Sequence, residues 1–159
     1  MGNLTVGIGE WAVSKNPEDV LKTYALGSCV AVMIYDSKVR IAGLIHIALP
    51  ESSIDPERAK IQPGFFVDTG LPRMIQEMKV LGAMRGSVWV KLAGGAAVMD
   101  AQNFFDIGKR NILAVKRILW KSSLGPLAED TGGNNSRTVS FSVDEGTVKL
   151  SSGPKSWNI

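Results

Sequence analysis

The chain has 159 residues, 45% hydrophobic and 21% charged, so one domain over residues 1–159 is expected rather than a multidomain assembly. That length buries roughly 70% of the unfolded surface without staples; a single cysteine and a single histidine exclude a disulfide framework and a closed four-ligand zinc site, and no cofactor is expected. The net charge of +3 comes from scattered basic residues. Their one grouping, Lys109, Arg110, Lys116, Arg117 and Lys121, reads as a solvated helix face and not as a nucleic-acid footprint.

In chain order, residues 4–24 read as short strands broken by Gly7, Gly9 and an Asn16-Pro17 turn. Met1 to Val13 lacks the basic and long apolar regions of a signal peptide. No apolar stretch approaches the ~20 residues that span a bilayer, so a cytoplasmic protein without membrane insertion is expected. Residues 29–35 and 39–49 are nearly continuous β-rich runs around a two-residue turn at Ser37-Lys38. A polar loop over 50–63 precedes a helical pattern with Met74, Ile75, Met78 and Leu81 on one face and Gly82 as its C-cap, Pro72 leaving its first turn open. Residues 87–93 alternate as a strand that runs into Gly94-Gly95. Ile112, Val115, Ile118 and Leu119 mark a helix ending before Gly125-Pro126. Residues 127–129 are extended, and 138–143 and 147–150 form a hairpin around Asp144-Glu145-Gly146. Strands outnumber helices and cluster at both ends, which points to an α+β layered domain rather than a doubly wound parallel one.

The chemistry-bearing pair comes from the first hairpin. With Ser37 and Lys38 in the turn, counting outward from Asp36 and Val39 sets Cys29 opposite His46, close enough for thiol and imidazole to meet. A bulge at Gly43 would change the count. A free thiol is mostly protonated at neutral pH, and an adjacent imidazole that takes its proton makes it a nucleophile. Gly27-Ser28 precedes Cys29 as a tight approach whose backbone N–H groups can receive a developing oxyanion. The residues alone leave two readings open: a cysteine hydrolase or acyl transferase, or a small buried thiol beside a satisfied core histidine.

Five separated motifs go further. Thr23-Tyr24-Ala25-Leu26-Gly27-Ser28-Cys29, His46-Ile47-Ala48-Leu49-Pro50, Ala93-Gly94-Gly95-Ala96, Ile107-Gly108-Lys109-Arg110-Asn111 and Ala128-Glu129-Asp130-Thr131-Gly132-Gly133-Asn134 together resemble the CheD family, in order from about Gly7 to Val148. The resemblance implies mixed β-sheets packed together and flanked by helices, related to toxin glutamine deamidases. It implies that Cys29 is the nucleophile, His46 the general base and Thr23 the residue orienting the imidazole. The implied reaction is conversion of glutamine to glutamate on the cytoplasmic helical region of methyl-accepting chemotaxis receptors, with some members acting on methyl esters. A member of the family can instead serve as an adaptor that binds and activates the phosphatase CheC. Ala25 departs from the family, which more often has glycine there, and its Cβ narrows the site.

Two Asp-Thr-Gly triplets, at 68–70 and 130–132, invite an aspartic-protease reading. The first opens a helical pattern and the second follows charged Glu129, which count against it. Asp130 and Thr131 instead belong to a site-forming loop, with Asp130 accepting backbone N–H bonds while Gly132 and Gly133 supply positive φ. Gly94-Gly95 lacks the endings of a phosphate loop and reads as a tight turn near the site. Phe104 and Phe105, with Met99, form an apolar run that reads from residue type as core, whereas the resemblance implies partner binding there.

Overall fold

The computed structural model describes residues 2–84, 86–97 and 106–159. In these residues the elements are β1 (Gly2–Thr5), β2 (Trp11–Ser14), β3 (Asp19–Leu26), β4 (Val30–Asp36), β5 (Ile41–Ile47), α1 (Pro56–Ile61), α2 (Val67–Val80), β6 (Val88–Gly94), α3 (Ile107–Lys121), β7 (Pro126–Thr131), β8 (Arg137–Ser142), β9 (Val148–Ser152) and β10 (Lys155–Asn158). One sheet runs β1-β3-β8-β9-β10 and the other β2-β5-β4-β6-β7. The β1–β3 and β6–β7 pairs are parallel and the rest antiparallel. This is the α+β arrangement of packed mixed sheets with flanking helices that the sequence leads one to expect.

β4 and β5 are buried at every position, which is why they read as unbroken apolar runs instead of alternating ones. Their two faces enter different cores. Val30, Val32, Ile34, Ile45 and Ile47 pack under α2 and α3, against Leu71, Met74, Met78, Val115 and Leu119. Ala31, Met33, Tyr35, Ala42 and Leu44 face the other sheet, against Leu21, Val139, Phe141 and Leu150. Order across the molecule is therefore sheet, sheet, helices. Tyr35 fastens the two sheets: its ring meets those of Trp89 and Phe141 at centroid separations of 5.4 and 5.8 Å, and its hydroxyl donates to the Val143 carbonyl at 2.8 Å.

Several local expectations need correction. The first hairpin turn is a four-residue loop, because Asp36 pairs with Ile41 and not with Val39. Asp36 supplies the reason: its carboxylate accepts from the N–H groups of Lys38 and Val39 at 3.0 and 3.3 Å and, from the next connection, that of Met84 at 3.0 Å. The loop over 50–63 contains α1, with Asp55 capping it through Arg58 N–H and Pro56 at its first position. β10 is an additional strand, a short edge segment whose polar composition carries no strand signal. α2 begins at Val67 with Pro72 inside it. Pro72 and Asp68 are both exposed, so the carbonyl that loses its helical partner faces solvent. Gly82, at φ +108, ends α2 as expected.

Gly43 hosts no bulge: the β4–β5 register is unbroken from Val30 to Asp36. Its lack of a side chain serves packing. A Cβ at position 43 would stand 2.8 Å from Met78 Sδ and 3.2 Å from Met74 Sδ, so glycine lets α2 lie directly on β5. Gly43→Val should therefore lower stability by about 1–3 kcal/mol through overpacking, measured as a shift in the urea midpoint at unchanged m-value.

Candidate functional site

The β4–β5 register pairs Val30 with Ile47 and Ala31 with His46. Cys29, one residue before β4, therefore lies diagonally from His46 and not directly opposite. The slip relative to the two-residue turn is an even number of positions, and that preserves side-chain parity. Cys29 follows the parity of Ala31 and Met33, and His46 that of Leu44 and Ala42, so both side chains remain on the face between the sheets. His46 is 2% exposed, whereas Cys29 is half-buried at the end of its strand.

Thr23 reaches His46 from the opposite sheet. It is fully buried in β3, and its Oγ1 lies 2.7 Å from the Val6 carbonyl oxygen and 2.6 Å from His46 Nδ1. A hydroxyl has one proton to give. Since a carbonyl can only accept, Oγ1 donates to Val6 and must accept from Nδ1–H. The neutral imidazole thus carries its proton on Nδ1 and leaves a lone pair on Nε2, which is buried and has no hydrogen-bond partner among the described residues. Main-chain bonds from the Gly9-Glu10 segment fix His46 at one edge of its strand: Gly9 N–H donates to the His46 carbonyl at 2.8 Å, and His46 N–H to the Glu10 carbonyl at 3.1 Å.

Burial sets the protonation states. Desolvation by burial lowers the His46 pKa from 6.5 to about 4. Desolvation also raises Cys29 from 9.0 to about 11, against an opposing contribution from its own backbone N–H. The resting pair is a neutral thiol and a neutral imidazole. Among the described residues, no hydrogen bond joins Sγ to Nε2.

The turn before Cys29 is held by its carbonyls. Ala96 N–H donates to the Gly27 carbonyl at 2.8 Å, Asn111 Nδ2 to that of Ser28 at 3.0 Å, and Gly95 N–H to that of Cys29 at 2.8 Å. The Gly94-Gly95 turn adopts φ of +106 and +64 to do this, and a Cβ on Gly94 would stand 2.3 Å from the Cys29 carbonyl oxygen. The expected tight turn near the site is thus the cradle of the cysteine turn. Asn111 was not singled out as a site residue, although it closes one of the five motifs. The Val6 carbonyl carries no sequence signal at all.

Cys29 opens into a shallow cleft of about 600 Å³ lined by Ala25, Gly27, Ser28, Asn134, Asn135, Ser136 and Ser152. Ala25 sits at φ +54, where the β3–β8 register shifts between Thr23 and Leu26. Asp130 and Thr131 lie behind this wall. Asp130 accepts from Arg137 Nε at 2.8 Å and from Trp157 Nε1 at 2.7 Å, side-chain bonds in place of the expected backbone ones. Thr131 donates to Glu129 at 3.0 Å. Gly132 and Gly133 have the expected positive φ, +79 and +68. Asp68 of the first triplet caps the preceding turn by accepting from Ser52 N and Oγ, both at 2.8 Å, far from a shared-proton dyad. Phe104 and Phe105 fall outside the described residues.

A family model described as CheD chemotactic sensory transduction matches residues 48–152. Thr23, Cys29 and His46 precede that span, but the full-length matches to relatives run across those positions. The chain is 53% identical to the probable chemoreceptor glutamine deamidase CheD of Syntrophotalea carbinolica, over 100% of both chains. It is 47% identical to the probable chemoreceptor glutamine deamidase CheD 1 of Syntrophus aciditrophicus, over 97% of this chain and 98% of that one. With the chemoreceptor glutamine deamidase CheD of Thermotoga maritima it shares 39% identity, over 90% of this chain and 87% of the other.

Two measurements follow from this geometry. The folded His46 pKa of about 4 lies below the ordinary 6.5, so between those values the unfolded chain binds the extra proton. Its contribution to stability is complete above pH 6.5 and is lost as pH falls through about 4, a change of about 3 kcal/mol. Denaturant titrations across that window should show the slope in the wild type and lose it in His46→Gln. Ala25→Gly removes a left-handed alanine and should raise stability by about 1 kcal/mol, read as an upward shift in the denaturant midpoint.

Proposed function

This chain belongs to the CheD family, and on that premise we propose that it deamidates glutamine side chains of methyl-accepting chemotaxis receptors in the cytoplasm, using Cys29, His46 and Thr23. The observation that carries this reading is the unpartnered Nε2 lone pair of His46, held by Thr23 on the same face as a thiol at the base of an open cleft. A core histidine with only a structural role has no reason to leave a buried acceptor unsatisfied.

The neutral resting pair favours general-base activation at the moment of attack over a standing thiolate. As Sγ forms its bond to the glutamine amide carbon, the thiol proton passes to Nε2 and the carbonyl electrons move onto oxygen. The tetrahedral intermediate collapses by breaking the carbon–nitrogen bond, and Nε2 gives its proton to the departing ammonia. Water then attacks the thioester while Nε2 takes one of its protons. Cleavage of the carbon–sulfur bond returns that proton to sulfur and leaves glutamate. The Thr23 oxygen accepts from Nδ1–H throughout, so it holds the ring's tautomer and offers a dipole to the imidazolium formed in each half-reaction. Gly27 and Ser28 form the turn whose N–H groups serve the oxyanion.

Substrate fits the cleft's form: its shallow, polar wall of Asn134, Asn135 and Ser136 suits a side chain presented on a protein surface better than a small molecule engulfed in a cavity. Among the described residues, no helix is long and apolar enough to cross a membrane. An adaptor that only binds CheC would not require the intact hydrogen-bond relay from Val6 to His46.

The test is peptide mass spectrometry of a receptor cytoplasmic fragment incubated with wild type, Cys29→Ala and Thr23→Val. Wild type should convert specific glutamines to glutamate, Cys29→Ala none, and Thr23→Val should turn over about 10²-fold more slowly, the scale of a general base that has lost its orientation. Absence of conversion by folded wild type on a cognate receptor defeats the deamidase reading and makes CheC binding the next assay.

A further inference from the structure

We propose that Asn111 is a positioning residue of the site, one that holds the Cys29 peptide so that its N–H serves as an oxyanion donor and ties the nucleophile's turn to the strand carrying His46. The inference rests on the cysteine acyl-transfer reading given above and extends it to a residue on a different element.

Asn111 lies in the second turn of α3 and is 0% exposed. Its Nδ2 donates to the Ser28 carbonyl and to the Ala48 carbonyl, each at 3.0 Å. Ser28 immediately precedes the nucleophile, and Ala48 is the residue after β5 ends at Ile47. One amide nitrogen thus spans the two segments whose relative placement decides whether Sγ meets Nε2. Both partners are carbonyls and can only accept, so the amide cannot be turned over and still bond them. Its Oδ1 is consequently buried without a hydrogen-bond partner among the described residues. A buried acceptor is left unsatisfied so that the two donor bonds can form, which is an arrangement chosen against stability.

Peptide planarity carries the argument to the site. In a trans peptide the carbonyl and the following N–H point in opposite directions. Drawing the Ser28 carbonyl toward Asn111 sends the Cys29 N–H the other way, and that N–H lies against its own Sγ, where it opposes the rise in the thiol's pKa. The Gly27 carbonyl, bonded to Ala96 N–H at 2.8 Å, orients the Ser28 N–H by the same rule. The helix is locked at this height: a Cβ on Gly108 would stand 2.4 Å from the Gly95 carbonyl oxygen and 2.9 Å from that of Ala96. Gly108 thus lets α3 press on the cradle while Asn111, on the next turn, reaches through it.

Two reagents acting on the same thiol separate positioning from general structure. p-Nitrophenyl acetate acylates Cys29 through a tetrahedral oxyanion: Sγ bonds to the carbonyl carbon, nitrophenolate leaves, and the thiol proton passes to His46. Iodoacetamide alkylates Sγ by direct displacement of iodide and forms no oxyanion. Asn111→Ala should slow acylation about 10–100-fold, the range for a displaced oxyanion donor, and leave alkylation within about threefold of wild type. On the receptor fragment the same loss should appear in kcat, with KM nearly unchanged.

Should Asn111→Ala fail to fold, Asn111→Asp keeps the shape and exchanges the donor for a carboxyl. Acylation by that variant should fall as pH rises and the buried acid ionises against two carbonyls, a descending limb the wild type lacks. Equal loss of acylation and alkylation, acylation within twofold of wild type in a folded Asn111→Ala, or no descending limb in Asn111→Asp would each overturn the proposal. Wild type that is acylated in an Asn111-dependent way yet converts no receptor glutamine would leave the positioning role standing and remove the deamidase reading alone.

Discussion

The hydroxyl of Thr23 has a single proton, and its bond to the Val6 carbonyl constrains everything else in the site. Because that proton is committed, Oγ1 faces His46 only as an acceptor, Nδ1 must carry hydrogen, and the Nε2 lone pair is left toward the thiol's side of the sheet. The relay runs from the β1–β2 connection through β3 to β5, so it crosses from one sheet to the other. The two sheets must therefore be packed in register before the imidazole has a defined tautomer. Tyr35, bonded to Val143 from the far end of β4, helps hold that registry.

Burial gives the pair its character. In a polar, solvated cleft a histidine titrates near neutrality and a thiol loses its proton modestly above it. Here desolvation drives His46 to about 4 and Cys29 to about 11, so both groups rest uncharged in a low-dielectric seam between sheets. Such a thiol is protected against adventitious oxidation and alkylation, both of which proceed through thiolate. The cost is that the proposed chemistry depends on donors already in place.

That dependence explains the care spent on three consecutive carbonyls. Those of Gly27, Ser28 and Cys29 are each hydrogen-bonded, and covalent geometry then points the N–H groups of Ser28 and Cys29 opposite to the Gly27 and Ser28 carbonyls. Two of the three bonds come from the Gly95–Ala96 turn, whose positive φ and missing Cβ atoms allow it to approach the cysteine backbone. α3 braces that turn from behind through Gly108. Ala25, a left-handed alanine on the cleft wall, shows that backbone strain is tolerated where the strand must bend away from its neighbour to open the site.

Apolar runs made β4 and β5 legible, helical spacing made α2 legible, and motif order indicated the family, because each of these is written in residue type and local period. Parity also survived an error: the turn after Asp36 is longer than the sequence suggested, yet the slip was even, so Cys29 and His46 stayed on one face. Residue types could not show that Asp36 would bind distant Met84 or that Asp130 would bind Trp157, since each depends on a partner remote in sequence. The same holds for protonation. Sequence by itself determined that the chain carries one cysteine and one histidine and that they lie near one another. Only the tertiary structure decided which imidazole nitrogen holds the proton, that both groups rest neutral, and which way the Cys29 peptide faces, because hydrogen-bond direction and desolvation come from groups brought together across two sheets and a helix.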